Sequence, residues 1–303
     1  MKRRRAKGLA QGLTYVFCLG ATKAGTSWLH DQLAAHPEGR LSTIKEYHYF
    51  TKTSAADYDA ALVAGRREID RLTEKNATRP PQQSVWAKAH IADLQDYATL
   101  LAQRRQNADG FRALLAAAPG PGHLVGDFTP AYGLLPVQTL RQIAGFAPDT
   151  RAVYLIRDPV ARLWSHVRMV AARAAKSEMA DVAWRLLRKI ITGETRGEAK
   201  AILERGDYAR IIPKLAQAFD PSRLLVMFYE ELMTRPGFAR LCAFLGIADH
   251  PADFARKVHE GKPLGLTQDD RRSAARFLRP QYEFAATLFP ALPDNWRLAM
   301  NEA

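Results

Sequence analysis

The chain has 303 residues, and its 44 Lys plus Arg against 31 Asp plus Glu leave a net charge of +13 with His neutral. A hydrophobic share of 47% supplies a real core and excludes disorder over the whole length, while roughly 100–200 residues per domain gives one large domain or two small ones. Two cysteines, Cys18 and Cys242, exclude a disulfide-rich scaffold and a cysteine-built zinc site; both lie in apolar contexts, and their rarity suits a reducing compartment.

Residues 1–12 read as a flexible basic arm, since Lys2, Arg3, Arg4, Arg5 and Lys7 carry five charges in seven positions. The Lys2-Arg3-Arg4-Arg5 start is followed by Gly8 and Gln11 rather than by a long apolar stretch, and no run approaches the ~18–20 apolar residues of a bilayer span. The chain is therefore expected to be soluble, unprocessed and cytoplasmic, with peripheral contact through the arm left open. Residues 13–303 are expected to form a single domain.

Thr14–Gly20 is a β-branched and aromatic run that predicts a buried strand, and a helix from about Thr26 to Ala35 follows, stopped before Pro37. Residues 57–118 are rich in Ala, Leu and charge at helical spacing and predict a helical insertion interrupted at Pro80-Pro81. Further strands are expected at His123–Phe128, Arg151–Arg157 and Leu224–Tyr229. Pro159 opens a helix past Arg168, another runs from Gly206-Asp207 to about Phe219, and the last third holds helices at Gly237–Leu245 and Gln268–Leu288. Apolar strands alternating with helices predict an α/β fold with a parallel sheet covered on both faces, its ligand site at the carboxyl ends of the strands.

The positive excess has three ordinary partners: nucleic acid, an anionic surface or anionic small ligands. Between Arg151 and Lys214 there are 14 basic and 7 acidic residues, so the charge concentrates in the second half of the folded body. No zinc-finger spacing, RNA-recognition aromatic pattern or basic-plus-heptad pattern accompanies it, and nucleic acid is not an expected partner.

Gly20-Ala21-Thr22-Lys23-Ala24-Gly25-Thr26-Ser27 joins the first strand to the first helix. A glycine-bracketed loop entering a helix turns backbone N–H groups outward beside the positive end of the helix dipole, which suits a phosphate. A nucleotide-triphosphatase loop would place Lys directly before the hydroxyl residue; here Lys23 lies inside the loop and Gly25 precedes Thr26-Ser27. A second anion site is readable in Arg157-Asp158-Pro159-Val160-Ala161-Arg162-Leu163-Trp164-Ser165, where Arg157 ends a strand and Ser165 falls two turns into the next helix. A guanidinium in that place suits a terminal phosphate. The plainer alternatives are a connecting turn, an Arg157–Asp158 salt bridge and a solvated Ser165.

The loop, with Leu29, His36-Pro37 and Lys45-Glu46-Tyr47-His48-Tyr49-Phe50 after it, resembles the P-loop sulfotransferases that use 3′-phosphoadenosine 5′-phosphosulfate, in the branch of heparan sulfate sulfotransferases and bacterial relatives. The likeness runs from about Tyr15 to Trp296, through Gly126-Asp127-Phe128-Thr129-Pro130-Ala131-Tyr132, Gly206-Asp207-Tyr208 and Phe244-Leu245-Gly246. It implies a P-loop NTPase-like three-layer fold. It implies a donor 5′-phosphosulfate held by Lys23, Ala24, Gly25, Thr26 and Ser27, with the 3′-phosphate on Arg157 and Ser165. It also implies Glu46 as general base toward an acceptor hydroxyl of a carbohydrate or small molecule, with Lys23 neutralising the bridging oxygen and adenosine 3′,5′-bisphosphate as product.

His48 is expected on the same side of an extended segment as Glu46, sharing the acceptor site. Trp28 and Tyr208 are the aromatic candidates to flank adenine, core packing being their ordinary role. Lys262, in Gly261-Lys262-Pro263, lies where the family has a cofactor-closing loop. Some glycosaminoglycan-modifying members have Lys where this chain has Phe128, which counts against a highly sulfated polymer acceptor. No metal is required, and Glu230-Glu231 is expected to be a helix-start or structural pair. Two other functions remain open: a P-loop kinase using ATP and Mg²⁺, and a non-catalytic polyanion-binding protein.

Overall fold

The structure is a computed structural model; it describes residues 12–78, 80–174, 178–256, 258 and 264–302. The basic arm before Gly12 and Lys262 lie outside the described residues.

Four parallel strands, β1 (Thr14–Gly20), β2 (Leu124–Asp127), β3 (Thr150–Ile156) and β4 (Leu224–Phe228), pair in the order β2-β1-β3-β4. Thr14 pairs with Leu124, Tyr15 with Thr150 and Ala152 with Leu224. β1 is buried along its whole length, as a strand with helices on both faces must be. Helices α1 (Thr26–Ala35), α2 (Ala55–Asn76), α3 (Val85–Leu101) and α4 (Ala108–Ala116) lie between β1 and β2, and α5 (Val137–Ala144) between β2 and β3. Then come α6 (Pro159–Ala174), α7 (Met179–Ile191), α8 (Glu198–Glu204) and α9 (Tyr208–Ala218) before β4, followed by α10 (Tyr229–Leu232), α11 (Arg235–Leu245), α12 (Gln268–Phe277), α13 (Arg279–Leu288) and α14 (Asp294–Asn301).

From β1 the chain crosses to β2 on one side, then returns to β3 on the other. The strand order therefore reverses between β1 and β3, and in an open α/β sheet that switch point opens a crevice at the carboxyl ends of the two strands. The Gly20–Ser27 loop leaves β1 at that end, and Arg157 directly follows β3.

Local chemistry explains where the elements differ from expectation. The last expected helix, Gln268–Leu288, is two: Pro280 has no N–H for the carbonyl four residues back, so α12 stops at Phe277 and α13 restarts with Pro280 in its first turn. β4 ends one residue early because Tyr229 opens α10. The first insertion helix starts at Ala55, two residues before the expected place, because Ser54 and Asp57 form a capping box.

Aromatic rings join the insertion to the sheet. Phe17 of β1 meets Phe146 edge-on at 5.2 Å, Phe146 meets Phe111 of α4 at 5.7 Å, and Phe111 stacks on Tyr49 at 4.2 Å. Both cysteines are buried and free. No helix among the described residues is long and apolar enough to cross a membrane.

Gly126, in the middle of β2, is where the sheet is tightest: a Cβ there would stand 2.0 Å from the Val16 carbonyl oxygen of β1. The neighbour is paired backbone and has nowhere to move. Gly126→Ala is expected to lower unfolding stability by about 3 kcal/mol or more, at the upper end of overpacking costs, measured by urea denaturation; an unchanged midpoint would show that β1 and β2 can separate without cost.

Candidate active site

The loop after β1 is shaped by three left-handed backbones. Gly20 has φ 142°, Lys23 φ 71° and Gly25 φ 91°. Gly25 is the N-cap of α1 and supplies no side chain to cap it, and the first turn holds no acidic residue, so the first N–H groups of α1 are left for another acceptor. A Cβ on Gly25 would come within 2.6 Å of the Tyr229 ring. Lys23 is half-buried; desolvation first, then the positive charges of Arg157, Arg168, Arg173 and Lys45, lower its pKa. Thr22 Oγ1 is buried in the same loop with no partner among the described residues. A crowd of cations, free helix N–H groups and an orphan hydroxyl all call for an anion.

Arg157 is part of the same cradle. Its guanidinium lies over the Tyr229 ring at 4.9 Å, and Nη1 donates to the Lys23 carbonyl at 3.2 Å. It forms no salt bridge with Asp158, whose buried carboxylate accepts from the Tyr282 hydroxyl at 2.7 Å and the Ala161 N–H at 2.7 Å. Ser165 is half-buried on α6, two turns along from Arg157. The two segments that the sequence offers as anion-site candidates are thus in contact through Arg157.

Residues 45–50 run alongside the end of β2 and are held there by its side chains. Phe128 N–H donates to the Lys45 carbonyl at 3.0 Å, Tyr47 N–H to Asp127 Oδ1 at 3.2 Å, His48 N–H to Thr129 Oγ1 at 3.3 Å and Phe50 N–H to the Tyr132 hydroxyl at 3.4 Å. Asp127, wholly buried, also accepts from the Thr129 and Tyr132 hydroxyls at 2.7 and 2.6 Å. Burial raises its pKa while these donors oppose the shift. From the other side, Lys52 Nζ donates to the Tyr47 and His48 carbonyls at 3.0 and 2.7 Å, and the Tyr97 hydroxyl of α3 to Tyr47 at 2.6 Å.

This frame presents Glu46. Its side chain is 41% exposed, paired with Lys45 Nζ at 2.5 Å and with His48 Nε2 at 3.4 Å. Partial burial pushes its pKa up, but His48 and the Lys45 ammonium outweigh that and hold it near 2, so it is ionised throughout the neutral range. His48 does meet Glu46, but not through an extended segment. Its backbone is left-handed (φ 52°) and caps the short 3₁₀ turn Tyr49–Thr51. Among the described residues only Lys23, His48 and Arg104 combine a side chain with positive φ. Strained backbone at two of the three candidate catalytic residues fits a site held against local preference.

The remaining candidates sit deeper. Trp28 is 4% exposed, stacks on Phe254 at 5.7 Å and donates its indole N–H to the Asp253 carbonyl at 3.0 Å. Tyr208 is fully buried; its hydroxyl donates to the Arg157 carbonyl at 2.7 Å and accepts from the Arg157 N–H at 3.2 Å. It therefore clamps the backbone that carries Arg157 and presents no open ring face. Glu230 accepts from the Asp158 N–H and Asn295, while Glu231 pairs with Arg240. Among the described residues no group of three or more His, Cys, Asp or Glu side chains is arranged to hold a metal ion.

A family model described as the sulfotransferase family matches residues 16–251, spanning the loop, the Glu46 segment and Arg157. The chain belongs to the sulfotransferase family. Over 160 residues it is 27% identical to carbohydrate sulfotransferase 15 of Homo sapiens and 26% identical to the Mus musculus protein of that name, covering half of this chain and 26% of each relative. The chain thus matches about a quarter of the length of these curated relatives. A solved sulfotransferase from Alicyclobacillus acidocaldarius shares the fold, with a TM-score of 0.60 at 19% identity over 94% of this chain and 98% of that one.

For this sulfotransferase, three side chains at the site escape a reading of the sequence. Asp127 is visible there only as part of a motif, Lys52 as one more surface lysine, and Tyr229 as the end of a strand. The acidic residue closing β2 before Thr129-Pro130 is the one local signal, since a carboxylate at a buried strand end needs donors.

Lys52 sets a pH dependence. It is only 6% exposed, and burial lowers its pKa to about 8 from 10.5, partly offset by Asp127 and Asp57. Between those values the unfolded chain binds more protons than the folded one, so stability rises with pH there. Relative to Lys52→Met, the wild-type chain should therefore gain on the order of 1–2 kcal/mol between pH 7 and 9.5, read by urea unfolding. An unchanged difference would place the Lys52 ammonium in water.

Proposed function

We propose that the chain transfers a sulfuryl group from 3′-phosphoadenosine 5′-phosphosulfate to a hydroxyl of a carbohydrate or small hydroxylated acceptor and releases adenosine 3′,5′-bisphosphate. The observation that carries this reading is the Arg157–Lys23 contact: one guanidinium joins the Lys23–Ser27 loop to the start of α6 and gathers two cations beside the free N–H groups of α1. A donor with phosphates on both its 5′ and 3′ positions suits two joined sites better than a linear triphosphate does. Lys23 placed inside the loop rather than before Thr26 points the same way.

The donor supplies an activated sulfuryl group on a phosphate leaving group. The loop N–H groups, Thr26 and Ser27 hold the 5′-phosphate, and Lys23 offsets the negative charge that builds on the bridging oxygen. Arg157 and Ser165 hold the 3′-phosphate, which fixes the sulfur for in-line attack. As the acceptor oxygen bonds to sulfur and the sulfur–oxygen bond to the leaving phosphate breaks, the acceptor proton passes to Glu46. A carboxylate held near pKa 2 is a weak base toward a free alcohol. It suffices once the new bond to sulfur has made the hydroxyl proton strongly acidic, so proton transfer is late and Glu46 is charged and ready at any physiological pH. His48 orients Glu46 and faces the same acceptor.

The curated relatives carry the name carbohydrate sulfotransferase, which supports a sugar hydroxyl as acceptor. Phe128 is fully buried against His30, so its side chain faces the core rather than an acceptor. We assign the chain to the cytoplasm on its two buried, unpaired cysteines, which suit a reducing compartment.

Calorimetry tests the donor. Adenosine 3′,5′-bisphosphate is expected to bind tightly without metal, and Arg157→Ala to weaken it about ten-fold or more, since a charge-assisted phosphate contact is lost. Mg²⁺-dependent ATP binding with none for the bisphosphate would instead make the chain a kinase. Glu46→Gln should cut turnover by ~10²–10⁴-fold with bisphosphate affinity unchanged, measured with radiolabelled donor against a panel of acceptors; undiminished turnover would remove Glu46 from the role.

A further inference from the structure

A cavity of about 560 Å³ opens beside α6, walled by Arg162, the stretch from Thr195 to Asp207 and the α12–α13 junction at Leu278–Gln281. That volume falls in the range of small-ligand sites, roughly 300–1,000 Å³. None of its lining residues belongs to the Lys23–Ser27 loop or the Glu46 segment.

Arg162 is the unusual wall. It is only 2% exposed, yet its contacts are neutral: the Ile202 carbonyl at 3.2 Å and His166 Nδ1 at 3.4 Å. Burial and the Arg162 charge itself lower the pKa of His166 to about 3, so the imidazole is an uncharged neighbour. Among the described residues Arg162 makes no ion pair with a carboxylate. A buried guanidinium normally has a counter-charge, because desolvation is otherwise uncompensated. The backbone is also shaped around it: a Cβ on Gly206 would stand 2.2 Å from the guanidinium carbon.

Three other charged side chains line the cavity, Lys200, Glu204 and Asp207, and neither carboxylate is paired with Arg162. Asp207 Oδ1 accepts from the Arg210 N–H and from Gln281 Nε2, both at 3.1 Å. Glu204 pairs loosely with the exposed Lys200 at 3.8 Å. A surface pair of that kind is worth little and can exchange for a ligand.

We propose that this cavity is a second anion site, separate from the donor loop, in which Arg162 supplies the buried charge and Lys200 guards the entrance for a small molecule bearing a sulfate or carboxylate group. The anion completes the pairing that Arg162 lacks, and the cavity leaves room for the rest of the ligand.

Selenate soaked into crystals of the full chain, located by its anomalous signal, should appear within hydrogen-bond distance of the Arg162 guanidinium. In solution, sulfate titrated at constant ionic strength into protein saturated with adenosine 3′,5′-bisphosphate should reveal one saturable site. Arg162→Met should weaken it about ten-fold or more and Lys200→Gln several-fold. Lys200→Gln changes only the surface and serves if Arg162→Met fails to fold. A selenium peak confined to the Lys23–Ser27 loop, or a sulfate affinity indifferent to Lys200→Gln, would overturn the inference. Neither result bears on the proposed sulfuryl transfer, which stands or falls on bisphosphate binding.

Discussion

One hydrogen bond holds the candidate site together: the Arg157 guanidinium donating to the carbonyl of Lys23 while lying over the Tyr229 ring. It ties the ends of β1, β3 and β4, which the order β2-β1-β3-β4 brings side by side. The contact has consequences for charge. Burial lowers the pKa of Lys23, and repulsion from Arg157 at the mouth of the same parallel sheet lowers it further. An anionic ligand reverses the sign of the problem, so a cradle that is unfavourable by itself becomes favourable when filled.

The Glu46 segment depends on a second constraint, centred on Asp127. A fully buried carboxylate is costly unless its oxygens are satisfied, and three donors meet this one, from Tyr47, Thr129 and Tyr132. Those same donors fasten residues 45–50 to the end of β2. The insertion braces the segment from outside through the Tyr97 hydroxyl and through Asp93 and His90, which bind Thr43. The helices between α1 and β2 therefore do more than cover the sheet. They keep Glu46 on a rigid edge, where a short left-handed turn at His48 can aim both side chains at one place.

Much of this architecture was legible before folding. β1 and the loop after it are a continuous apolar run ended by glycine, and parallel strands buried on both faces have that appearance in any sequence. Arg157 and Pro159 could be placed at a strand end and a helix start because proline is favoured in a first turn. Less legible were features made by distant residues. Core packing is the ordinary role for Tyr208 and the structure buries it, but its two hydrogen bonds to the backbone of Arg157, 51 positions away, have no local signal. Lys52 and Tyr229 carried no local pattern that set them apart from an ordinary lysine and an ordinary strand end.

The amino-acid sequence by itself determined the α/β class, the glycine-bracketed loop and the places of Arg157 at a strand end and Pro159 at a helix start, because periodicity, glycine freedom and proline geometry act within a few residues; Glu46 and the joint use of Lys23 and Arg157 were implied only by the family resemblance. Only the tertiary structure decided that Arg157 reaches the Lys23 carbonyl, that Asp127 fastens the backbone next to Glu46, and that Arg162 is buried with no carboxylate ion pair among the described residues. Each of these depends on which surfaces are excluded from water together, and that is set by how the strands cross, not by neighbours along the chain.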